Sequence, residues 1–305
     1  MRLPLEEMRK ITGKGLILEN EPLSRYTSFR IGGASTVALP ADREELTALL
    51  RFARGKGIPV FVLGNGTNVL CADEGWDGLV VRTKNLSDIR IEGERLVLGG
   101  GALLSRAAAV AAAEGLGGME FAHGIPGSVG GAVAMNAGAY GGEMKDCVTR
   151  TLCLTPEGEE LILEGEAHDF SYRHSAVTEN PGTTVLETEL LLAPKDRGEI
   201  EEKMRDFSSR RRASQPLELP SAGSVFKRPE GHFVGAMVQE CGLKGRRVGG
   251  AQVSPKHAGF IVNTGGATAS DVLALIEIVR KEVFARFGVS LECEIRPLGI
   301  GREEI

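Results

Sequence analysis

The sequence predicts an α+β protein, and three features of its 305 residues indicate this class. Segments with helical and strand periodicity alternate up to Glu114, as is typical of α/β units. From Val148 the pattern changes to that of an antiparallel hairpin. The breaker-rich segment SQPLELPSAGS, residues 214–224, then precedes a smaller C-terminal region. We therefore expect two or three compact units, with the main boundary near the start of this breaker-rich segment.

The first α/β unit is indicated by a helix that leads into a buried strand. Asp42 and Glu45 form the pattern of a capping box, and apolar side chains over residues 46–53 repeat at helical spacing. A strand over residues 58–63 follows and runs into the glycine-bearing loop GNGTN. The other expected elements here are strands at residues 37–39 and 79–81 and a second helix at 103–114.

The remaining elements follow from the same patterns. Residues 148–154 and 161–165, joined by the turn TPEGEE, predict a hairpin, and a further strand is expected from Thr184. The expected helices are a polar one at 196–212 and a strongly amphipathic one at 271–287, which Gly288 ends. Residues 289–297 alternate apolar and charged side chains, which predicts a closing strand.

Composition and charge exclude several classes of protein. A content of 42% hydrophobic and 25% charged residues is that of an ordinary globular chain, and a formal charge of −5 gives no general affinity for polyanions. We therefore expect no nucleic-acid partner. Arg106 and Glu114 interrupt the alanine-rich segment that comes nearest to a membrane span, and the N-terminus has no apolar run, so we expect a cytoplasmic protein.

The five cysteines indicate neither a disulfide framework nor a metal site. Their number is odd and none forms a CxxC pair, which favours reduced, buried thiols. We therefore expect no bound metal.

Glycine is concentrated in the stretch GIPGSVGGAVAMNAGAYGGE, residues 124–143, where it must be compensated because it weakens regular structure. This stretch and GNGTN offer many main-chain N–H donors but no lysine or arginine, which suits a pyrophosphate bound by backbone amides. Tight turns are the alternative explanation. Neither loop is a P-loop or a GxGxxG fingerprint, so a different dinucleotide fold is required.

Seven segments together resemble one family. They are TSFRIGG (27–33), LGNGTN (63–68), the glycine-rich stretch, SYRHS (171–175), SAGSVFKRP (221–229), SPKHAGFIVN (254–263) and ECEIRPLG (292–299). In this order the chain resembles the UDP-N-acetylenolpyruvoylglucosamine reductases, also called UDP-N-acetylmuramate dehydrogenases. Only about fifty residues separate Tyr172 from Ser224 and they contain no tyrosine, which indicates the family's shorter form.

The resemblance implies the FAD-binding fold of the PCMH type. The FAD-binding domain would cover residues 1–200, with subdomains of about 1–84 and 85–200, and the substrate-binding domain residues 201–305. The implied FAD contacts are Gly64, Asn65, Gly66, Thr67, Asn68, Gly124, Ile125, Pro126, Gly127, Ser128, Gly130, Gly131, Asn136, Gly138 and Ala139.

The resemblance also implies the reaction. NADPH reduces the flavin, and flavin N5 gives hydride to the enolpyruvyl double bond of UDP-N-acetylglucosamine enolpyruvate, forming UDP-N-acetylmuramate for peptidoglycan. Ser224 would donate the proton, and Arg173 and Glu294 would stabilise the enolic intermediate. A serine hydroxyl is a weak acid that protonates only a strongly basic centre, and a carbanion is one. Arg173 suits the substrate carboxylate, while Glu294 could serve as proton relay or as electrostatic partner.

Further binding residues are expected around this centre. The candidate substrate ligands are Tyr172, Arg212, Lys227, Gln239 and Lys256. The run Arg210 to Arg212 either complements a helix C-terminus or binds the UDP diphosphate. Whether Arg228 also binds the diphosphate is left open. His123 and His257 are expected to be structural rather than catalytic.

Two other functions fit parts of the pattern. A flavin oxidase or dehydrogenase of the PCMH type acting on a small hydroxy acid or alcohol would keep the fold, but its substrate domain is usually much longer. A nucleotide-binding protein without activity is the second alternative, which the presence of Ser224, Arg173 and Glu294 disfavours. The expected partners are small molecules, with no obligate protein partner.

Overall fold

The structure is a computed structural model that describes residues 3–301 and 304–305. It contains both α-helices and β-strands, as the sequence predicts. The α-helices are α1 (Leu5–Ile11), α2 (Arg43–Gly55), α3 (Leu104–Ala113), α4 (Val129–Ala134), α5 (Ala176–Glu179), α6 (Arg197–Ser214), α7 (Val234–Glu240) and α8 (Ala269–Phe287). The strands of the first half are β1 (Leu16–Pro22), β2 (Ala34–Leu39), β3 (Val60–Leu63), β4 (Val69–Cys71), β5 (Leu79–Arg82), β6 (Ile89–Glu92), β7 (Arg95–Gly99), β8 (Leu116–Gly117), β9 (Gly138–Ala139) and β10 (Gly142–Glu143). Those of the second half are β11 (Val148–Leu154), β12 (Glu160–Glu164), β13 (Thr184–Leu191), β14 (Ala193–Pro194), β15 (Arg247–Val248), β16 (Ala251–Val253), β17 (Ile261–Asn263) and β18 (Arg296–Leu298).

The chain divides by its internal packing into two units. The larger unit contains residues 1–19, 36–65 and 78–211, and the smaller one contains residues 20–35, 66–77 and 212–305. Two segments from the first 77 residues thus pack with the C-terminal region. The expected boundary after residue 200 lies inside α6, whereas the division by packing falls after Arg211.

The larger unit is built on two sheets. One has the order β1-β2-β5-β3, in which β5 pairs in parallel with both β2 and β3. The other has the order β12-β11-β13-β7-β6 and is antiparallel, as the predicted hairpin requires. Helix α2 packs on the first sheet through its buried apolar stripe, and α3 and α4 belong to the core of the second.

Local chemistry explains where the predicted helices begin and end. The Asp42 side chain accepts the N–H of Glu45, as a cap should, at 2.9 Å. The Glu45 carboxylate accepts N–H groups of Ala41 and Lys14 instead of closing the box on Asp42. Helix α8 has a complete capping box between Thr268 and Asp271, and it ends at Gly288, whose φ of 67° suits a residue without a side chain.

The smaller unit has a core formed by α7, α8 and the short antiparallel sheet β15-β16-β17. The predicted strand over 289–297 is only partly present, because β18 starts at Arg296 and pairs in parallel with β4. The residues before it contact segment 224–227 through isolated main-chain bonds rather than a continuous ladder. Of the apolar face formed by alternate residues, Leu291 and Ile295 are buried and Val289 and Cys293 half-buried, but the predicted continuous strand was wrong.

Candidate active site

Two of the predicted loops lie side by side in the larger unit. The side-chain amide of Asn65 donates to the carbonyl of Pro126, and a Cβ on Gly64 would lie 2.1 Å from the Ser128 hydroxyl oxygen. Ser128 is itself buried and caps α4 by accepting the N–H of Gly131. A side chain at position 64 would therefore displace the Ser128 hydroxyl that caps α4.

Main-chain donors are unused where these loops meet. The N–H groups of Gly64, Asn65, Gly124, Gly127 and Ser128 form no hydrogen bond with any described residue. In the smaller unit the same holds for the N–H groups of the following residues, 66–68. Unused backbone amides concentrated in two loops are the donors that an anionic group such as a pyrophosphate requires, so the loops fit a dinucleotide cofactor.

A guanidinium group lies beside one of these loops. The Arg211 Nε atom would be 3.3 Å from a Cβ on Gly124, and it is buried with no hydrogen-bond partner among residues 3–301. Burial also lowers the pKa of Arg211 below its ordinary value. The Arg211 guanidinium lies 5.6 Å from the ring of Tyr140, which stacks on Phe207 of α6 at 4.6 Å. Helix α6 thus brings to the loop a positive charge that the loop sequences lack.

The other residues expected to contact FAD have different surroundings. The N–H groups of Gly130 and Gly131 are used by the Gly100 carbonyl and the Ser128 hydroxyl. Gly138 and Ala139 form β9, which pairs with β10 across a two-residue turn. Asn136 is fully buried, and its amide contacts Glu143, Ser171 and Lys145.

Arg173 occupies a tight turn of the larger unit. Ser171 and His174 exchange both main-chain hydrogen bonds, which places Tyr172 and Arg173 at the tip. Arg173 has a φ of 57°, an uncommon conformation for a residue with a side chain. Its guanidinium lies 4.9 Å from the ring centroid of Tyr172, which is half exposed. The turn thus places the cationic side chain of Arg173 next to the aromatic ring of Tyr172.

Ser224 and Glu294 come together in the smaller unit. The residue after Ser224, Val225, accepts the N–H of Glu294 at 2.8 Å and donates its own N–H to the Gly259 carbonyl. Segment 224–227 is therefore held from both sides by main-chain bonds. Ser224 and Glu294 are each half-buried, and the side chain of Asn68 donates to the Glu294 carbonyl.

Most residues expected to bind substrate also lie in this unit. Lys227, three residues after Ser224, forms an ion pair with Glu292. Lys256 donates to the main-chain carbonyl of Arg212 at 2.7 Å, so these two expected ligands are adjacent. Gln239 is exposed near the end of α7.

The histidines have local contacts. His257 Nδ1 accepts the N–H of Gly259, its ring meets Phe260 edge-on, and burial lowers its pKa. His123 is half-buried. His168, which no sequence pattern marked, is fully buried between Thr151 and the Gly165 carbonyl.

The sequence marked Asn136 as an FAD contact and Arg211 as a member of an arginine run, but it did not predict what either side chain contacts. Arg211 was only one of three consecutive arginines, and nothing local indicated which of them faces the glycine-rich loop. Asn136 lies in that stretch, and its contact with Ser171 spans 35 residues of sequence, so no local pattern could reveal it.

Comparison with known proteins gives one consistent result. Residues 34–164 match the family model described as FAD binding domain, and residues 215–298 match the C-terminal domain of UDP-N-acetylenolpyruvoylglucosamine reductase. The chain is 46% identical to the UDP-N-acetylenolpyruvoylglucosamine reductase of Caldanaerobacter subterraneus subsp. tengcongensis, over 97% of this chain and 98% of the relative. It is 45% identical to that of Lactobacillus acidophilus, over 96% and 99%.

The structure agrees with a solved one of the same name. The crystal structure of UDP-N-acetylenolpyruvylglucosamine reductase from Thermus caldophilus superposes with a TM-score of 0.82 at 36% identity, covering 93% of this chain and 99% of that one. The expected FAD-binding fold of the PCMH type within an α+β protein is confirmed. Because its similarity to these relatives extends over almost the whole length of both partners, the chain belongs to the UDP-N-acetylenolpyruvoylglucosamine reductase family.

Proposed function

We infer that the chain is an FAD-dependent oxidoreductase that uses NADPH to reduce the enolpyruvyl double bond of UDP-N-acetylglucosamine enolpyruvate. The product is UDP-N-acetylmuramate, a precursor of peptidoglycan. The observation that carries this inference is the similarity over 97% of the chain to relatives of this name. The PCMH-type alternative acting on a small hydroxy acid is not favoured, because the C-terminal family match covers residues 215–298.

FAD would be held mainly by main chain. The unused N–H groups of Gly64, Asn65, Gly124, Gly127 and Ser128 would donate to its diphosphate, and Arg211 would supply positive charge beside Gly124. When bound, FAD supplies the two-electron chemistry that links NADPH to the substrate. Ile125, Pro126, Gly130, Gly131, Gly138 and Ala139 would line the same region.

Ser224 is our candidate for the proton donor. An alcohol is too weak an acid to protonate anything but a strongly basic carbon, so its position matters more than its acidity. The main-chain bonds of Val225 to Gly259 and Glu294 fix that position from two sides. Glu294, held by the same bonds, would either relay the proton or balance the local charge.

Arg173 would bind the substrate carboxylate. A guanidinium grips a carboxylate through two parallel hydrogen bonds, and a fixed positive charge is most useful where negative charge develops. We assign Tyr172, Arg212, Lys227, Gln239 and Lys256 to the remainder of the substrate. The contact between Lys256 and the Arg212 carbonyl supports a shared role for that pair.

Domain roles follow from these assignments. We propose that residues 1–200 form the FAD-binding region and residues 201–305 the substrate-binding region, to which segments 20–35 and 66–77 contribute by packing.

Both substrates are small molecules, and we place the reaction in the cytoplasm, where NADPH and nucleotide sugars are supplied. Within residues 3–301 and 304–305, no helix has the length and apolar character needed to span a membrane.

The substrate can be tested directly by stopped-flow spectroscopy. The holoenzyme is reduced with NADPH and mixed with either the enolpyruvyl sugar nucleotide or a series of 2-keto acids. We expect rapid return of the oxidised flavin absorbance only with the sugar nucleotide. Reoxidation by a keto acid at an equal or greater rate would overturn the proposed substrate.

A further inference from the structure

We propose that Asn136 and Ser175 are positioning residues that fix the turn carrying Arg173 to the end of α4. This inference rests on the proposed function, because it concerns how the carboxylate-binding arginine is held. It gives Asn136 a different role from the cofactor contact expected from sequence.

The Arg173 turn is short, and one of its two tip residues has an unfavourable backbone conformation. Its two tip residues are closed by hydrogen bonds between Ser171 and His174, of 3.3 and 3.2 Å, which is long for such bonds. The left-handed conformation of Arg173 is unfavourable for a residue with a Cβ. Conformations of this kind persist when neighbouring structure enforces them.

Asn136 provides the first anchor. Its side-chain amide donates one hydrogen to the Ser171 carbonyl at 3.1 Å and the other to Glu143 at 2.8 Å. Its Oδ1 atom accepts the N–H of Lys145 at 3.0 Å. Because Asn136 is fully buried and both amide hydrogens are used, the side chain has no donor left for a cofactor.

Ser175 provides the second anchor on the other side of the turn. Its hydroxyl donates to the carbonyl of Ala134 at 2.9 Å, and the residue is fully buried. The two anchors therefore join residues 171 and 175, which flank the turn, to residues 134 and 136.

Both anchors start from the end of α4, and α4 starts at the glycine-rich loop. Its N-cap is Ser128, one of the residues with an unused N–H group, and Val129, Ala132 and Val133 are buried in the core. A buried helix of six residues is a rigid spacer of about 9 Å. The FAD-binding loop and the Arg173 turn are thereby attached to the two ends of one short element.

The variants Asn136→Gly and Ser175→Ala test this inference. Glycine adopts the observed φ of 38° at position 136 without strain, so the change removes the hydrogen bonds of the side chain, including the anchor to Ser171, without straining the backbone. We expect both holoenzymes to keep their FAD and to be reduced by NADPH within about twofold of the wild-type rate. Reoxidation by the enolpyruvyl sugar nucleotide should slow at least about tenfold in Asn136→Gly and about threefold in Ser175→Ala, one hydrogen bond of roughly 1 kcal/mol corresponding to about fivefold.

A double-mutant cycle with Arg173→Ala separates positioning from a general structural effect. If the anchors act through Arg173, adding either change to Arg173→Ala should alter reoxidation by less than about twofold. Additive slowing, or slowing of flavin reduction to the same extent, would overturn the inference. Glu143→Gln is the matched control, since it still accepts from Asn136 and leaves both anchors in place, and it should behave like the wild type.

Two outcomes distinguish this inference from the proposed function. If the wild-type enzyme is not reoxidised by the sugar nucleotide, the proposed function fails. If the wild type is reoxidised and both anchor variants match it, only the positioning role fails. If Asn136→Gly loses its fold, as judged by melting temperature and FAD content, the double-mutant cycle between Ser175→Ala and Arg173→Ala decides whether the anchors act through Arg173.

Discussion

The sharpest prediction concerns Gly66 in the loop GNGTN. A Cβ added there would lie 2.1 Å from the Tyr26 carbonyl oxygen and 3.1 Å from the Thr27 Cα, and all of these neighbours are main-chain atoms. Since a carbon–oxygen contact normally needs about 3.2 Å or more, alanine at position 66 overlaps its neighbour by roughly 1 Å. No side-chain rotation can relieve that overlap, so the loop itself must move.

Gly57 is a matched control for the backbone conformation. Its φ of 63° is almost that of Gly66, at 66°, but a Cβ on Gly57 would meet no atom within 4 Å. Gly57→Ala therefore measures the left-handed penalty alone, about 1 kcal/mol. Gly66→Ala adds an overpacking cost of about 1–3 kcal/mol, for a total of about 2–4 kcal/mol.

Thermal unfolding and FAD content provide the assay. At about 2 °C per kcal/mol for a chain of this size, Gly57→Ala should lower Tm by about 2 °C and Gly66→Ala by about 4–8 °C. Gly66→Ala should also purify with less FAD if the loop binds the cofactor as proposed, because the overlap displaces its backbone amides. Equal Tm values and equal FAD content in the two variants would refute the reasoning.

Three further predictions concern buried groups. Arg211→Met should raise the Kd for FAD at least about tenfold, measured by flavin fluorescence, since a charge-assisted hydrogen bond contributes about 1.5–3 kcal/mol; an unchanged Kd would contradict this. Burial lowers the pKa of His168, so the unfolded chain binds a proton first as pH falls below about 6.5, and His168→Gln should flatten the loss of Tm between about pH 7.5 and 5.5. Burial raises the pKa of Cys71, Cys147 and Cys153 to about 12, so these thiols should resist alkylation at about pH 8 until the protein is denatured, and rapid native labelling would refute their burial.

Local chemistry made much of the fold predictable. The capping residue Asp42 and the stop at Gly288 specify helix ends through contacts within a few residues, so α2 and α8 could be derived from sequence. The hairpin of β11 and β12 was equally local. The closing strand was overestimated because alternation reports which side chains are buried, whereas a strand also needs a continuous ladder. Residues 296–298 form one with β4, but Cys293 has only an isolated bridge to Phe226.

For the candidate site, the sequence motifs predicted which loops take part but not how their residues contact one another. Glycine density correctly indicated loops with available backbone, but the reason differs among positions. At Gly64 and Gly66 the space for a side chain is occupied by Ser128 and by the Tyr26 carbonyl, so close packing between protein segments requires glycine there. The unused N–H groups follow from the loop conformation. The placement of Arg211 beside Gly124 depends on tertiary packing of α6, which no sequence pattern expresses.

The central claim is that the chain reduces its flavin in one half-reaction and uses Ser224 as proton donor in the other. Single-turnover kinetics of Ser224→Ala test it most directly, because NADPH oxidation and substrate reduction are observed separately through the flavin absorbance. We predict flavin reduction within about twofold of the wild type and a substrate half-reaction slowed by at least about a hundredfold, in the range expected for loss of a general acid. Equal slowing of both half-reactions, or none in the second, would contradict the claim.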